Sequence, residues 1–190
     1  MTLADKITSI RLILAPVFFI VYMFFPAANG VLIMTVLWVL FIASELTDLI
    51  DGRVARRRKE VSDFGKLFDP FADVLVRITY FLCFVIEGVL PVVPLLIVLY
   101  REFGILFVRI LMMRKGIALG ARMGGKIKAV AYTATGALAL LAVSVKRLAL
   151  GEGLFSGLRL AGIVLFIGSA LIALLSFADY VAVLRRAKGE

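Results

Sequence analysis

Six apolar runs, each close to the length of a membrane-crossing helix, divide the chain at about 10–26, 31–50, 67–87, 89–112, 126–145 and 158–182. A helix needs roughly 20 residues to cross a bilayer core. The chain has 190 residues, 63% of them hydrophobic, and a mean hydropathy of +1.07. A soluble domain is only about half apolar. The predicted fold is therefore an all-α integral membrane protein with six transmembrane helices, forming one domain over residues 1–190. The composition excludes disorder. "FPAANG" (25–30) and "EGVLPVVP" (87–94) read as short turns, and 146–157 as a longer glycine-containing loop. A cleaved signal peptide over residues 1–28 competes for the first run, since Lys6 and Arg11 precede it. Against that reading, the first residues carry a functional pattern of their own, described below.

Positive charge sets the orientation. With a cytoplasmic amino terminus, the far side receives only Lys146, Arg147 and Arg159, and Arg77 falls inside a span. The other eighteen of the 22 Lys and Arg residues then lie in the cytoplasmic segments and their flanks. The positive-inside rule places both termini there. The net charge of +9 follows from topology and from attraction to anionic lipid headgroups. No groove-reading element accompanies it, so nucleic acid is not an expected partner.

The chain has no histidine, which removes histidine-based triads and the usual zinc sites. Its single cysteine, Cys83, lies in an apolar run and reads as a core residue; no internal disulfide can form. Catalysis must rest on carboxylates, Lys, Arg or hydroxyls.

Seven of the thirteen acidic residues fall between Glu45 and Asp73. Asp48 and Asp51 are three apart, Asp69 and Asp73 four apart, so each pair shares a helix face. The two pairs sit near the cytoplasmic ends of consecutive antiparallel helices, and closing that hairpin brings four carboxylates together. Such a group cannot stay ionised without counter-charge, least of all in an apolar setting. Oxygen-only ligands favour Mg²⁺ or Mn²⁺. Four carboxylates suit two such ions, and paired metals suit displacement at phosphorus. Gly52 lets a bulky group approach the helix backbone. Ala55 is small, and Arg56 offers a planar fork for phosphate. Gly65 permits a turn or close packing where the third span begins. Arg57, Arg58, Lys59, Glu60 and Asp63 read as a solvated interfacial loop. Glu45, one turn before Asp48, supports the site or makes a helix–helix contact.

The pattern Asp48-x-x-Asp51-Gly52-x-x-Ala55-Arg56, eight residues, Gly65, three residues, Asp69, three residues, Asp73 resembles the CDP-alcohol phosphotransferase signature at every fixed position. The resemblance implies six transmembrane helices, a homodimer, and a metal-dependent site open to the cytoplasmic interface of a cell (inner or plasma) membrane. It implies transfer of a substituted phosphate from a CDP-linked donor to an alcohol, with release of CMP. By it, Asp48, Asp51 and Asp69 bind metal, Asp73 binds the second metal and acts as general base, and Gly52, Ala55 and Arg56 line the CDP site. Gly65 and Thr8 join that donor site.

Arg101 and Glu102 lie inside the fourth run, Arg109 follows two turns later, and Lys126 and Lys128 open the fifth. Charges at such depth face a polar cavity or snorkel to the interface. Their excess of positive charge suits an acceptor that is itself a phosphate ester, held by Arg101, Arg109 and Lys126. "YREFGILFVRILM", "GGKIKAVAYTATG" and the opening "ITSIRLILAP", with Thr8 and Arg11, resemble the corresponding segments of the phosphatidylglycerophosphate synthases within that family. That likeness implies CDP-diacylglycerol as donor, sn-glycerol 3-phosphate as acceptor, and a role in phospholipid biosynthesis. Another acceptor, such as an inositol phosphate, is the alternative within the family. A divalent-cation transporter is the alternative outside it. It fits poorly, because the carboxylates crowd one face beside arginines and no internal repeat is visible.

Overall fold

The computed structural model describes residues 3–25, 30–58, 65–114 and 123–186. They form six helices: α1 (Leu3–Phe24), α2 (Gly30–Arg58), α3 (Gly65–Ile86), α4 (Val92–Arg114), α5 (Met123–Arg147) and α6 (Glu152–Arg186). No strand occurs among the described residues. Helices close every backbone hydrogen bond within the segment, which an apolar surround demands.

α1 packs along both α2 and α3, α5 lies against α6, and α4 is wedged between α3 and α6. α5 buries Thr135, Ala139, Ala142 and Val143, and α6, which packs along it, buries Ser169, Ala170 and Ala173. Small residues let two helix backbones approach, and the Thr135 and Ser169 hydroxyls meet at 3.3 Å. Aromatic rings fill the centre. Phe18 stands 4.5 Å from Tyr80, centroid to centroid; Tyr80 lies 5.3 Å from Phe41; Phe81 lies 4.6 Å from Phe166. Cys83 is buried and free, as a core residue should be. The outside is apolar too: Val31, Phe107, Val130 and Leu175 are each more than 60% exposed. A soluble protein does not tolerate so much exposed apolar surface; a bilayer requires it.

Among the described residues, four helices contain stretches long and apolar enough to cross a membrane: Lys6–Phe24, Gly30–Asp48, Ile127–Arg147 and Glu152–Ala178. The apolar runs in the sequence number six. α3 and α4 fall short because they carry Asp69, Asp73 and Arg77, and Arg101, Glu102 and Arg109, respectively. Those ionisable residues are the ones that build the interior polar groups described below.

Three boundaries also differ from expectation. The 146–157 segment is not a long loop: α5 runs to Arg147 and α6 starts at Glu152. Gly151, at φ 123°, and Ala149, at φ 52°, make the reversal in the short connection. Gly153 and Gly157 are helical, as glycine often is in membrane helices. The turn after α3 ends before Pro94, which sits in the first turn of α4, where its missing N–H costs nothing. α2 continues to Arg58, well past its apolar part, because a helix need not stop where its hydrophobic stretch does.

Candidate active site

Asp48 and Asp73 come from different helices and meet on one atom. Nη1 of Arg11 donates to Asp48 Oδ1 at 2.6 Å and also to Asp73 Oδ1. Arg11 belongs to α1 and is 1% exposed. One turn earlier on α1, Thr8 is fully buried and donates its hydroxyl to Asp69 Oδ1 at 2.6 Å. Thr8 and Arg11 are three apart, and so share a face; Asp69 and Asp73 are four apart and do the same on α3. The α1–α3 seam thus places two donors opposite two carboxylates in register, and α2 supplies a third carboxylate to the same guanidinium.

The sequence predicts a hairpin of α2 and α3 closing on itself. In the structure α1 is the element that packs extensively on both, and it supplies the groups between them. Arg11 is not among the expected site residues. The sequence marks it in two ways, as part of the opening Thr8-x-x-Arg11 element and as a basic residue at the head of an apolar run, and neither assigns it to the aspartates.

The surrounding pocket is lined by Arg11, Ser44, Glu45, Asp48, Asp73 and Arg77. Glu45, one turn before Asp48, accepts a hydrogen bond from Thr133 Oγ1 of α5 at 2.7 Å, so its role here includes a helix–helix contact. Arg77, one turn after Asp73, donates to the Ala129 carbonyl at 3.2 Å. Its guanidinium lies 5.7 Å from the centre of the Tyr132 ring.

Beyond Arg77 lies a second polar group. Glu102 accepts from Arg101 Nη1 at 3.0 Å with both oxygens and from Lys128 Nζ at 2.6 Å. Arg101 also donates from Nη2 to Ser176 Oγ at 3.1 Å and from Nε to the Ala173 carbonyl at 3.2 Å. Lys128 Nζ stands 5.2 Å from the centre of the Tyr132 ring. Arg101 is therefore fully engaged in binding α4 to α6. Arg109, two turns along α4, differs: among the described residues its buried Nε has no hydrogen-bond partner.

Thr8, Asp48, Asp69 and Asp73 are thus gathered around α1, and Gly65 is buried at the start of α3. Asp51, Gly52, Ala55 and Arg56 continue α2 beyond Asp48, and Lys126 lies in the first turn of α5. The side chains of these residues lie outside those described. The expected interfacial residues Lys59, Glu60 and Asp63 lie outside the described residues altogether.

The donor set fits a hard divalent cation. Glu45, Asp48, Asp69 and Asp73 offer only carboxylate oxygens, and Asp48 and Asp73 already converge on a positive group. Among the described residues no three carboxylates form a closed cage; Arg11 stands between two of them.

Comparison with known proteins returns one consistent picture. Residues 1–174 match the family described as CDP-alcohol phosphatidyltransferase. A Treponema pallidum (strain Nichols) protein named CDP-diacylglycerol–glycerol-3-phosphate 3-phosphatidyltransferase is 39% identical over 191 residues, covering 95% of this chain and 88% of that one. A Mycobacterium tuberculosis (strain CDC 1551 / Oshkosh) protein named probable phosphatidylglycerophosphate synthase is 28% identical over 180 residues, covering 95% and 80%. A Bacillus subtilis (strain 168) protein with the first of these names is 34% identical over 90 residues, 47% of each chain.

Proposed function

The chain belongs to the CDP-alcohol phosphatidyltransferase family, and on that premise we propose that it transfers the phosphatidyl group of CDP-diacylglycerol to sn-glycerol 3-phosphate, yielding phosphatidylglycerophosphate and CMP. The observation that carries the reading is the convergence of Asp48, Asp69 and Asp73 on Thr8 and Arg11. These aspartates belong to the sequence signature; Asp48 and Asp73 line one pocket, and Asp69 lies one turn before Asp73 on the same helix face, bonded to Thr8.

In this reading Asp48, Asp51, Asp69 and Asp73 hold two Mg²⁺ or Mn²⁺ ions. When bound, these supply the positive charge that a pyrophosphate and its departing monoester need. Gly52 and Ala55 leave room for the donor's nucleotide beside α2, and Arg56 grips its phosphate through a charge-assisted pair. Thr8 fixes the rotamer of Asp69, and Gly65 lets α3 start close to the donor. The acceptor's hydroxyl oxygen attacks the phosphorus that bears the diacylglycerol. A new P–O bond forms, the anhydride P–O bond breaks, and CMP leaves. Asp73 accepts the hydroxyl proton, a task suited to a carboxylate within reach of the attacking oxygen.

The acceptor's own phosphate is met by Arg109 and Lys126, with Arg101 adding charge from behind. Arg109 suits direct contact because its buried Nε has no partner among the described residues. A buried donor of this kind is uncommon without a ligand. We read all six helices as crossing the cell membrane, with α3 and α4 shielding their charges inside the bundle. Both termini and the aspartates then face the cytoplasm, following the basic residues. The donor's acyl chains lie between helices, open to the bilayer, and the working unit is a homodimer.

The test is CMP release from CDP-diacylglycerol by the purified protein with Mg²⁺ or Mn²⁺. It is run without acceptor, with glycerol 3-phosphate, and with inositol phosphate. Release that depends on glycerol 3-phosphate is the expected result. Release with inositol phosphate alone would replace the acceptor, and no release under any condition would overturn the enzymatic reading.

A further inference from the structure

We propose that Arg11 is a built-in stand-in for the divalent cation: its guanidinium holds Asp48 and Asp73 together in the metal-free protein and gives up at least one of them when the ion binds. The inference rests on the metal-binding reading above and deepens it. Its ground is one atom. Nη1 of Arg11 contacts an oxygen of each carboxylate, that of Asp48 at 2.6 Å and that of Asp73. A single positive centre bonded to two carboxylates on different helices supplies there the charge that a bound divalent cation would supply.

Physical chemistry requires something there. Two carboxylates held close in an apolar bundle repel one another and lose solvation. Without a counter-ion, α2 and α3 would be pushed apart at this end. Arg11 supplies that counter-ion from α1, the helix that packs on both, and its buried stem gives it little freedom to leave entirely. The site is thereby formed before the metal arrives. The cost is competition, because a divalent ion must displace charge-assisted hydrogen bonds to reach the same oxygens. Arg11 is thus a positioning residue that lowers metal affinity in return for a preformed site.

The experiment follows binding of Mn²⁺ alone, by loss of the free-ion EPR signal, to the full chain in detergent. It compares wild type, Asp48→Asn, Arg11→Gln, Arg11→Ala and Arg11→Met, with melting curves in the presence and absence of Mn²⁺. Arg11→Gln is expected to bind Mn²⁺ at least about tenfold tighter, the affinity equivalent of one displaced charge-assisted hydrogen bond. Its metal-free form should melt below wild type, with Mn²⁺ restoring most of the difference. In Arg11→Ala, added methylguanidinium should compete with Mn²⁺, and in wild type it should not. A residue that merely packs the helices would give neither effect. Wild type that binds Mn²⁺, with Arg11→Gln binding no tighter, overturns this inference and leaves the metal site standing. Wild type that binds no more Mn²⁺ than Asp48→Asn overturns both. Should Arg11→Gln not fold, Arg11→Met decides. It keeps a long stem without the charge, so tighter binding than wild type supports the proposal and equal or weaker binding overturns it.

Discussion

Glu87 and Arg147 meet at 2.9 Å, Oε2 to Nη2, in the turn that follows α3. Lys146 adds a second contact to the same carboxylate at 3.1 Å. Arg147 is also stacked over Tyr22, 4.3 Å from the ring centre, and donates to the Tyr22 carbonyl at 3.3 Å. One carboxylate therefore ties α1, α3 and α5 together at the end of α3 opposite Asp69 and Asp73.

This latch has a pH signature. Burial alone would raise the Glu87 pKa, but hydrogen bonds and charge from Arg147 and Lys146 outweigh it and hold the carboxyl below its ordinary value. A carboxyl whose folded pKa is depressed stabilises the fold above the unfolded value, about 4.5. That contribution is lost as pH falls through the folded pKa. Glu87→Gln should therefore lower Tm at pH 7, by the equivalent of about 1.5–3 kcal/mol for hydrogen bonds to charged groups. The gap from wild type should close as the pH drops below 4.5. Melting curves in detergent across pH check this. A gap that is constant with pH would show that the carboxylate charge contributes nothing.

Thr8→Val keeps the shape of a buried residue and removes the donor to Asp69. The lost hydrogen bond to a charged group, about 1.5–3 kcal/mol, corresponds to roughly 10- to 150-fold in kcat/KM. Thr8→Ser should recover most of it. Initial rates of CMP release for the three proteins decide the point. Unchanged rates in Thr8→Val would mean that Asp69 is positioned by something else.

Gly136 has no room for a side chain: a Cβ there would lie 2.9 Å from Cε2 and 3.2 Å from Cζ of Phe41. Phe41 is buried against Tyr80 and Trp38, so it cannot give way freely. Gly136→Ala should destabilise by about 1–3 kcal/mol, the usual cost of overpacking. Gly157 is the control, since a methyl group there would meet no heavy atom of the described residues within 4 Å; Gly157→Ala should be neutral or slightly stabilising. Equal melting temperatures for the two variants would show that the α2–α5 contact is loose.

These contrasts mark what the sequence could and could not disclose. Asp48, Asp69 and Asp73 were legible because helical spacing alone puts carboxylates on shared faces, and charge in an apolar chain needs a reason. The contact of Arg11 with Asp48 and Asp73 was not, because the Thr8-x-x-Arg11 element marks a place on α1 and says nothing of which helices α1 packs between. The helix count was legible from apolar runs, but the α5–α6 connection was not. Gly151, Gly153 and Gly157 look alike in sequence, yet only Gly151 has positive φ. The roles of Arg101 and Arg109 depend on the rotation of α4 against α6, and their two-turn spacing cannot report it.

Those two arginines support the last prediction. Arg101 commits its donors to Glu102, Ser176 and the Ala173 carbonyl, whereas Arg109 has a buried Nε with no partner among the described residues. Arg101→Ala should act mainly on the fold. It leaves Glu102 with one of its two cationic partners and breaks the α4–α6 tie, a loss of about 3–5 kcal/mol by analogy with other disrupted buried ion pairs. Arg109→Ala should leave Tm nearly unchanged and raise the KM for glycerol 3-phosphate by roughly 10- to 150-fold, the equivalent of one charge-assisted contact of about 1.5–3 kcal/mol. The KM for CDP-diacylglycerol should not move. Steady-state kinetics with each substrate varied, set beside melting curves of the same preparations, separate the two. If Arg109→Ala lowers Tm and leaves the acceptor KM alone, the acceptor phosphate is held elsewhere in the bundle. The basic residues at the start of α5 would then be the next to test.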